Sequence, residues 1–215
     1  MTQLTHDLAR AVAARHAGRV TQGFVRGKLR GDPVLPALLA LPPLGAVLDL
    51  GCGRGQLALA LLLAGRADHV TGLDLDAAKI ARADAAARDL PARFAVADLA
   101  AAEIPRCDTV LLIDVLLQMP HDSQRALLSR IVAAAPARIV IRNFDPDRGW
   151  RSAVGFAMEH VRRRLGADLG RGGEVAPLPP RDLARLLESA GYRVTDTPCW
   201  AGTPLPNVLI LAERS

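Results

Sequence analysis

Apolar residues along this chain change their spacing several times, and each change marks an element. Leu4, Leu8 and Val12 recur every fourth residue, the interval of one helix face. Gly18, Gly23, Gly27 and Gly31 then interrupt, and Asp32-Pro33 marks a boundary. A second short helix is expected over 34–41, stopped by Pro42-Pro43. From Ala46 onward, short and nearly continuous apolar runs alternate with longer helical stretches. Strands are expected over 46–50, 69–73, 93–97, 109–113 and 138–141, with helices over 56–64, 76–89 and 123–135. Apolar strands alternating with helices predict an α/β, Rossmann-like fold: a mostly parallel sheet with helices on both faces.

The last third reads differently. Residues 145–180 are rich in Arg, Gly and Pro, with one helix expected over 150–165. A helix over 180–190 places Leu183, Leu186 and Leu187 on one face and has Gly191 as its stop. Strands over 192–197 and 207–212, joined by a turn rich in Pro and Gly, predict a closing antiparallel C-terminal hairpin. The expected organisation is a basic helical N-terminal extension or cap, 1–43, and one domain, 44–215. Within that domain, 145–180 is an insertion on the substrate side.

Composition narrows the class. At 215 residues the chain buries enough surface to fold without disulfides or a structural metal. Its three cysteines, Cys52, Cys107 and Cys199, are too scattered for a disulfide framework or a zinc cluster, so no metal site is expected and a cytoplasmic setting is. The longest apolar run, 57–64, is about half of what a membrane span needs, so no span is expected. The formal charge of +5 resides in the first 31 residues, where Arg10, Arg15, Arg19, Arg26, Lys28 and Arg30 face Asp7 alone. That segment suits an acidic partner, a phosphate or a membrane surface, or is a solvated helix. Seven aromatic residues are too few for the stacking platforms of single-strand nucleic-acid binders, which makes nucleic acid the weaker partner.

The chemistry concentrates where strands end. Asp74, Asp98 and Asp114 follow three successive strands, and Asp49 lies within the first, just before Gly51-Cys52-Gly53-Arg54-Gly55. In open α/β sheets, ligands sit outside the carboxyl ends of strands. Gly51 turns the chain off the strand, Gly53 permits close backbone approach to a ligand, and Gly55 starts the helix tightly. The dinucleotide fingerprint has its third glycine one position later, and no Gly-Lys-Ser/Thr of a phosphate loop follows. Asp74, 19 residues beyond Gly55, is placed to accept hydrogen bonds from the two hydroxyls of a ribose.

Val47 to Gly55, then Gly72-Leu73-Asp74-Leu75-Asp76, Ala97-Asp98 and the stretch 108–114 resemble the successive motifs of class I S-adenosylmethionine-dependent methyltransferases. The resemblance covers roughly residues 44–144. It implies a seven-stranded sheet with the last strand inserted antiparallel, and S-adenosyl-L-methionine as cofactor. It also implies that Asp49 and the glycine loop (Gly51, Gly53, Gly55) hold the methionine portion. Asp74, with Leu75 beside it, would hold the ribose, and Asp98 with Leu99 the adenine; Asp114 completes the cofactor-side set.

The Asn/Asp-Pro-Pro-Tyr/Phe signature of exocyclic-amine nucleic-acid methyltransferases is absent after the fourth strand. The stretch 113–121 instead resembles the Asp-Val-Leu-His-His-Leu-Pro segment of small-molecule methyltransferases, with Leu117 and Gln118 at the two histidine positions. His121 is the nearby candidate base, and Glu159 and His160 are weaker ones. On the acceptor side, Trp150 either covers a flat substrate or anchors the insertion. Arg151 either pairs with a carboxylate or phosphate or is solvated. Arg162-Arg163-Arg164 reads as a solvated helix face.

Residues 26–33 and 199–204 are similar to segments of small bacterial methyltransferases of aryl-polyene and fatty-acid-like pathways, a kind of secondary metabolism. That implies a small-molecule acceptor, aromatic or acyl, carried on an acidic acyl carrier protein docked at the basic N-terminal segment. The alternatives are an RNA methyltransferase and a methyltransferase-like module that binds without catalysis. A nicotinamide-dependent oxidoreductase is disfavoured by the early third glycine and the lack of a second catalytic domain.

Overall fold

A computed structural model of the chain describes residues 2–155, 157 and 177–214. The N-terminal segment forms α1 (Gln3–Arg15), α2 (Arg19–Gly31) and α3 (Val34–Ala40). Thr2 caps α1, its hydroxyl accepting the Thr5 N–H at 3.4 Å, while Leu8 and Val12 are buried. Gly18, at φ +82°, breaks the chain between α1 and α2. Gly23 and Gly27, expected to interrupt the helical pattern, lie within α2 instead. Each glycine costs about 1 kcal/mol in a helix. Val25 and Leu29, one turn apart and both buried, offset that cost by anchoring the opposite face.

The remaining elements, in chain order, are β1 (Ala46–Leu50), α4 (Gln56–Leu63), β2 (His69–Asp74), α5 (Ala77–Ala86), β3 (Ala92–Val96) and β4 (Thr109–Ile113). A 3-10 turn (Leu116–Gln118), α6 (His121–Ala134) and β5 (Arg138–Phe144) follow, then α7 (Pro180–Ser189), β6 (Tyr192–Pro198) and β7 (Asn207–Arg214). The seven strands form one sheet of order β3-β2-β1-β4-β5-β7-β6. β1, β2 and β3 are parallel, whereas β7 runs antiparallel to both β5 and β6. This is the Rossmann-like architecture expected from the alternation of apolar runs, including the closing antiparallel hairpin. No helix among the described residues is long and apolar enough to cross a membrane.

The chain divides into two compact units, Met1–Ala102 with Cys107–Leu111, and Glu103–Arg106 with Leu112–Ser215. In the first, α1 packs against α2, α4 and α5. Arg15 donates to the Ala86 carbonyl at 2.6 Å and also to the Arg88 carbonyl. These oxygens lie at the carboxyl end of α5, where backbone acceptors lack helical partners and the dipole favours a cation. Part of the N-terminal basicity therefore has a structural use.

In the second unit, α7 packs on β6 and β7 through buried Leu183 and Leu187. Tyr192 is buried in the hairpin, with its hydroxyl donating to the Pro136 carbonyl at 2.9 Å. β5 runs three residues beyond its expected end at Ile141. Arg142, Asn143 and Phe144 read as a loop because two of them are polar, yet they pair with Leu209, Val208 and Asn207 of β7. The polar ones are buried with partners: the Asn143 amide donates to the Leu178 carbonyl at 2.8 Å, and Arg142 meets Asp114. Residues 150–155 are helical, as expected. Glu159, His160 and Arg162-Arg163-Arg164 lie outside the described residues.

Candidate active site

In the first unit the polypeptide leaves β1 through a turn whose three glycines all take positive φ, Gly51 +76°, Gly53 +58° and Gly55 +71°. The Gly51 and Cys52 N–H groups both donate to the Leu73 carbonyl, at 2.7 and 3.0 Å, which ties the loop to the end of β2. Gly55 has a second constraint: a Cβ there would lie 2.8 Å from the Phe94 ring. Gly53 has no such neighbour within 4 Å, so its open side is free for a ligand to approach. Cys52 is a buried packing residue, its sulfur near Gly72, and burial pushes its thiol pKa up.

Asp49, 3% exposed, is the buried acid of this loop, and its Oδ2 has no hydrogen-bond partner among the described residues. Burial, and then the charge of Asp74, push its carboxyl up to about 7, while Lys28 on α2 pulls it down. A buried carboxylate oxygen without a donor is poised for a cationic or N–H-bearing ligand.

Asp74 ends β2 half-buried. Its Oδ2 accepts the Gly53 N–H at 2.8 Å and its Oδ1 accepts the Asp76 N–H at 2.9 Å. Each oxygen keeps a lone pair for a further donor, which is what a pair of vicinal hydroxyls requires. Leu75 beside it is 46% exposed, an apolar surface next to the acid. Beyond β3, Asp98 opens a turn by accepting the Ala100 N–H at 3.1 Å, and half-buried Leu99 follows. The Ala97 N–H donates to the Asp74 carbonyl at 3.0 Å, so the ends of β2 and β3 are joined beside the loop.

The sequence reading missed what α2 brings to this loop. The Arg54 guanidinium lies over the Phe24 ring at 5.0 Å, and Lys28 sits one turn further along the same helix. His16, at the end of α1, is buried with neither ring nitrogen hydrogen-bonded among the described residues. Burial, then the Arg54 charge, hold its pKa below the usual histidine value. The signal in the sequence was the i, i+4 spacing of Phe24 and Lys28 beside buried Val25 and Leu29. The glycines on either side obscured it.

In the second unit, Asp114 follows β4 with φ +61°. Its Oδ1 accepts from Arg142 Nε at 2.8 Å, its Oδ2 accepts from the other arm of the same guanidinium, and its N–H donates to the Arg142 carbonyl at 3.2 Å. Arg142 is nearly fully buried, so this fork-to-fork pair fixes the segment entering the 3-10 turn. His121 is exposed as the first residue of α6, and its side chain makes no hydrogen bond or ion pair among the described residues. Trp150 is 65% exposed, and Arg151 lies over its ring at 4.9 Å. Among the described residues, no group of three or more His, Cys, Asp or Glu is placed to hold a metal ion.

Residues 47–135 match the family model described as a methyltransferase domain. Over 94 residues the chain is 36% identical to an uncharacterised methyltransferase of Mycobacterium tuberculosis (strain ATCC 25618 / H37Rv), covering 43% of this chain and 47% of that protein. The chain thus spans about half the length of the relatives it matches. Among solved structures, magnesium protoporphyrin IX methyltransferase from Synechocystis PCC 6803 with bound SAH aligns at TM-score 0.65 and 23% identity, over 97% of this chain and 93% of that one. An S-adenosylmethionine-dependent methyltransferase from Mesorhizobium loti aligns at TM-score 0.63 and 20% identity, over 85% and 96%. These structural likenesses show the fold.

Proposed function

We propose that this chain, whose residues 47–135 match a methyltransferase domain, is a class I S-adenosylmethionine-dependent methyltransferase that transfers a methyl group to a small aromatic or acyl acceptor. When bound, the cofactor supplies a methyl carbon on a sulfonium, open to in-line displacement. The observation that carries the reading is the joining of loop and acid. Asp74 holds the Gly53 N–H at 2.8 Å, while the neighbouring Asp49 Oδ2 is buried without a partner. Asp49 and the glycine loop would hold the amino-acid end, Asp74 with Leu75 beside it the ribose, and Asp98 and Leu99 the adenine. These residues fit that group: a buried carboxyl whose Oδ2 lacks a donor, an Asp74 carboxylate with one N–H on each oxygen, an open glycine face and an exposed leucine.

The protein's own contribution is positioning and exclusion of water. Asp114 serves as a positioning residue, its carboxylate gripped by Arg142. His121 is the candidate to take the acceptor's proton. It starts α6 in an exposed position, open to an acceptor. Calorimetric titration with S-adenosylhomocysteine and, separately, NAD tests the cofactor assignment. Micromolar binding of the former alone, weakened at least about tenfold by Asp74→Ala, supports it. Binding of neither overturns it in favour of a non-catalytic module.

A carrier protein as bearer of the acceptor has support from α2. Arg19, Arg26 and Arg30 lie along one flank of the helix, exposed and without an acidic partner among the described residues. Lys28, by contrast, sits near enough to Asp49 for its charge to be felt there, and so leaves this docking set. Replacing Arg26 and Arg30 by Gln should slow transfer to a carrier-bound acceptor and spare S-adenosylhomocysteine affinity. Unchanged transfer removes the carrier, and loss of RNA binding in its place moves the RNA reading forward.

A further inference from the structure

Both tryptophans of the chain fall in one cluster with two arginines. The Arg148 guanidinium lies over the Trp200 ring at 5.2 Å, and the Arg151 guanidinium lies over Trp200 at 5.3 Å and over Trp150 at 4.9 Å. The cluster is built on a fixed loop at the carboxyl end of β5. Asp145, only 8% exposed, accepts the Asp147 N–H at 3.0 Å and Arg148 Nε at 2.7 Å. Its own N–H donates to the Pro206 carbonyl at 3.0 Å, and its carbonyl accepts the Ser152 hydroxyl at 2.8 Å. The loop and the β6–β7 connection are therefore stapled together before any ligand arrives.

The two arginines differ in one respect. Arg148 has the carboxylate of Asp145 and needs nothing further. Arg151 has two indoles and one hydrogen bond, from Nη1 to the Thr203 carbonyl at 2.9 Å, and no acid among the described residues. A guanidinium carries five N–H donors in one plane, and stacking covers its faces without using its edges. Trp150 is 65% exposed, although a staple would require its indole to be buried. A half-buried cation with open donors therefore lies beside an exposed aromatic surface.

We propose that Arg151, held between Trp150 and Trp200, binds the carboxylate of a planar aromatic molecule whose ring lies on Trp150. That this molecule is the methyl acceptor rests on the methyltransferase reading; the binding itself does not. A carboxylate conjugated to its ring presents its oxygens edge-on to the guanidinium while the arene stacks on the neighbouring indole. An aliphatic acid uses the cation and leaves the indole bare. A neutral arene does the reverse.

Because the chain has only these two tryptophans, its indole emission reports on this cluster alone. Binding of 2-naphthoate and of its neutral analogue 2-naphthamide is to be measured on the full chain by calorimetry and indole emission, with and without S-adenosylhomocysteine. The expected result is saturable quenching by naphthoate, with the amide at least about tenfold weaker. Arg151→Gln should bring naphthoate down to the level of the amide, Arg151→Lys should give an intermediate value, and Trp150→Leu should weaken both ligands. Thermal melts show whether each variant remains folded. Equal binding of naphthoate and amide, indifference to both Arg151 substitutions, or tighter binding of an oligoribonucleotide than of naphthoate overturns the proposal. Failure of S-adenosylhomocysteine to bind while naphthoate still does so overturns the methyltransferase reading and leaves this site standing.

Discussion

The carboxylate of Asp74 accepts the N–H of Gly53 at 2.8 Å across 21 residues of chain, so the glycine loop and the acid at the end of β2 form one unit. Its second oxygen takes the Asp76 N–H at 2.9 Å. Asn in this position would have to turn an NH2 group toward one of those two donors. Asp74→Asn should therefore lose about 1–3 kcal/mol of stability and weaken S-adenosylhomocysteine at least about tenfold, read by thermal melting and calorimetry. Retained affinity would place the ribose elsewhere.

Two glycines of the loop should separate by function. Both Gly53→Ala and Gly55→Ala place a side chain at positive φ, at a cost of about 1–2 kcal/mol. Only Gly55→Ala also drives a methyl into the Phe94 ring, 2.8 Å from the new Cβ. The melting temperature should fall further for Gly55→Ala. Gly53→Ala should lose proportionally more cofactor affinity, because its Cβ meets no protein atom within 4 Å and so enters the open space that the proposed cofactor would fill. Similar losses of affinity and stability in both variants would show that the loop acts only as a turn.

Asp49 should make both stability and ligand binding depend on pH. Its folded pKa is raised to about 7 from 3.8, so the native state holds a proton that the unfolded chain has released. The contribution to stability is therefore greatest at low pH and declines as pH rises from about 4 to 7. Asp49→Asn should remove that decline and raise the melting temperature at pH 8. Binding runs in the opposite sense, because a cationic amino group requires the carboxylate. Below pH 7, wild-type affinity for S-adenosylhomocysteine should fall by up to about tenfold per unit, with proton release on binding, and the Asn variant should show neither effect. A wild-type affinity flat from pH 5 to pH 8 would separate Asp49 from the ligand.

The Asp114–Arg142 pair should matter for stability before it matters for binding. Arg142 has a side-chain exposure of 4% and Asp114 of 33%, so Asp114→Ala removes a bidentate acceptor from a buried cation. A loss of about 3 kcal/mol is expected, at the lower end for buried pairs because the acid is partly solvated. Arg142→Leu with Asp114→Ala should recover part of it, since the desolvated charge is then gone. A denaturant series on the two single variants and the double variant measures the coupling. Additive losses would mean that the pair contributes only packing.

Most of the sheet was legible in the sequence because its strands are short apolar runs bounded by Gly, Pro and Asp. β1 and β4 fall on their expected residues, and the positive φ at Gly51, Gly53 and Gly55 follows from a loop that only glycine forms cheaply. The strand-end acids were likewise visible as a pattern. Two things were not. The glycines of α2 read as interruptions because local propensity is all that sequence offers there, and burial of Val25 and Leu29 outweighs it. Arg142 and Asn143 read as a loop because both are polar, yet they lie in the sheet since β7, some 65 residues away, pairs with them. The sequence by itself determined the alternation of strands and helices and the residue types of the glycine loop, which are local properties of spacing and backbone freedom. Tertiary structure alone decided the partners of the charges. Lys28 acts on Asp49, Asp114 is held by Arg142, and Arg151 lies between two tryptophans, because electrostatic and stacking energies depend on distances that the order of residues does not encode.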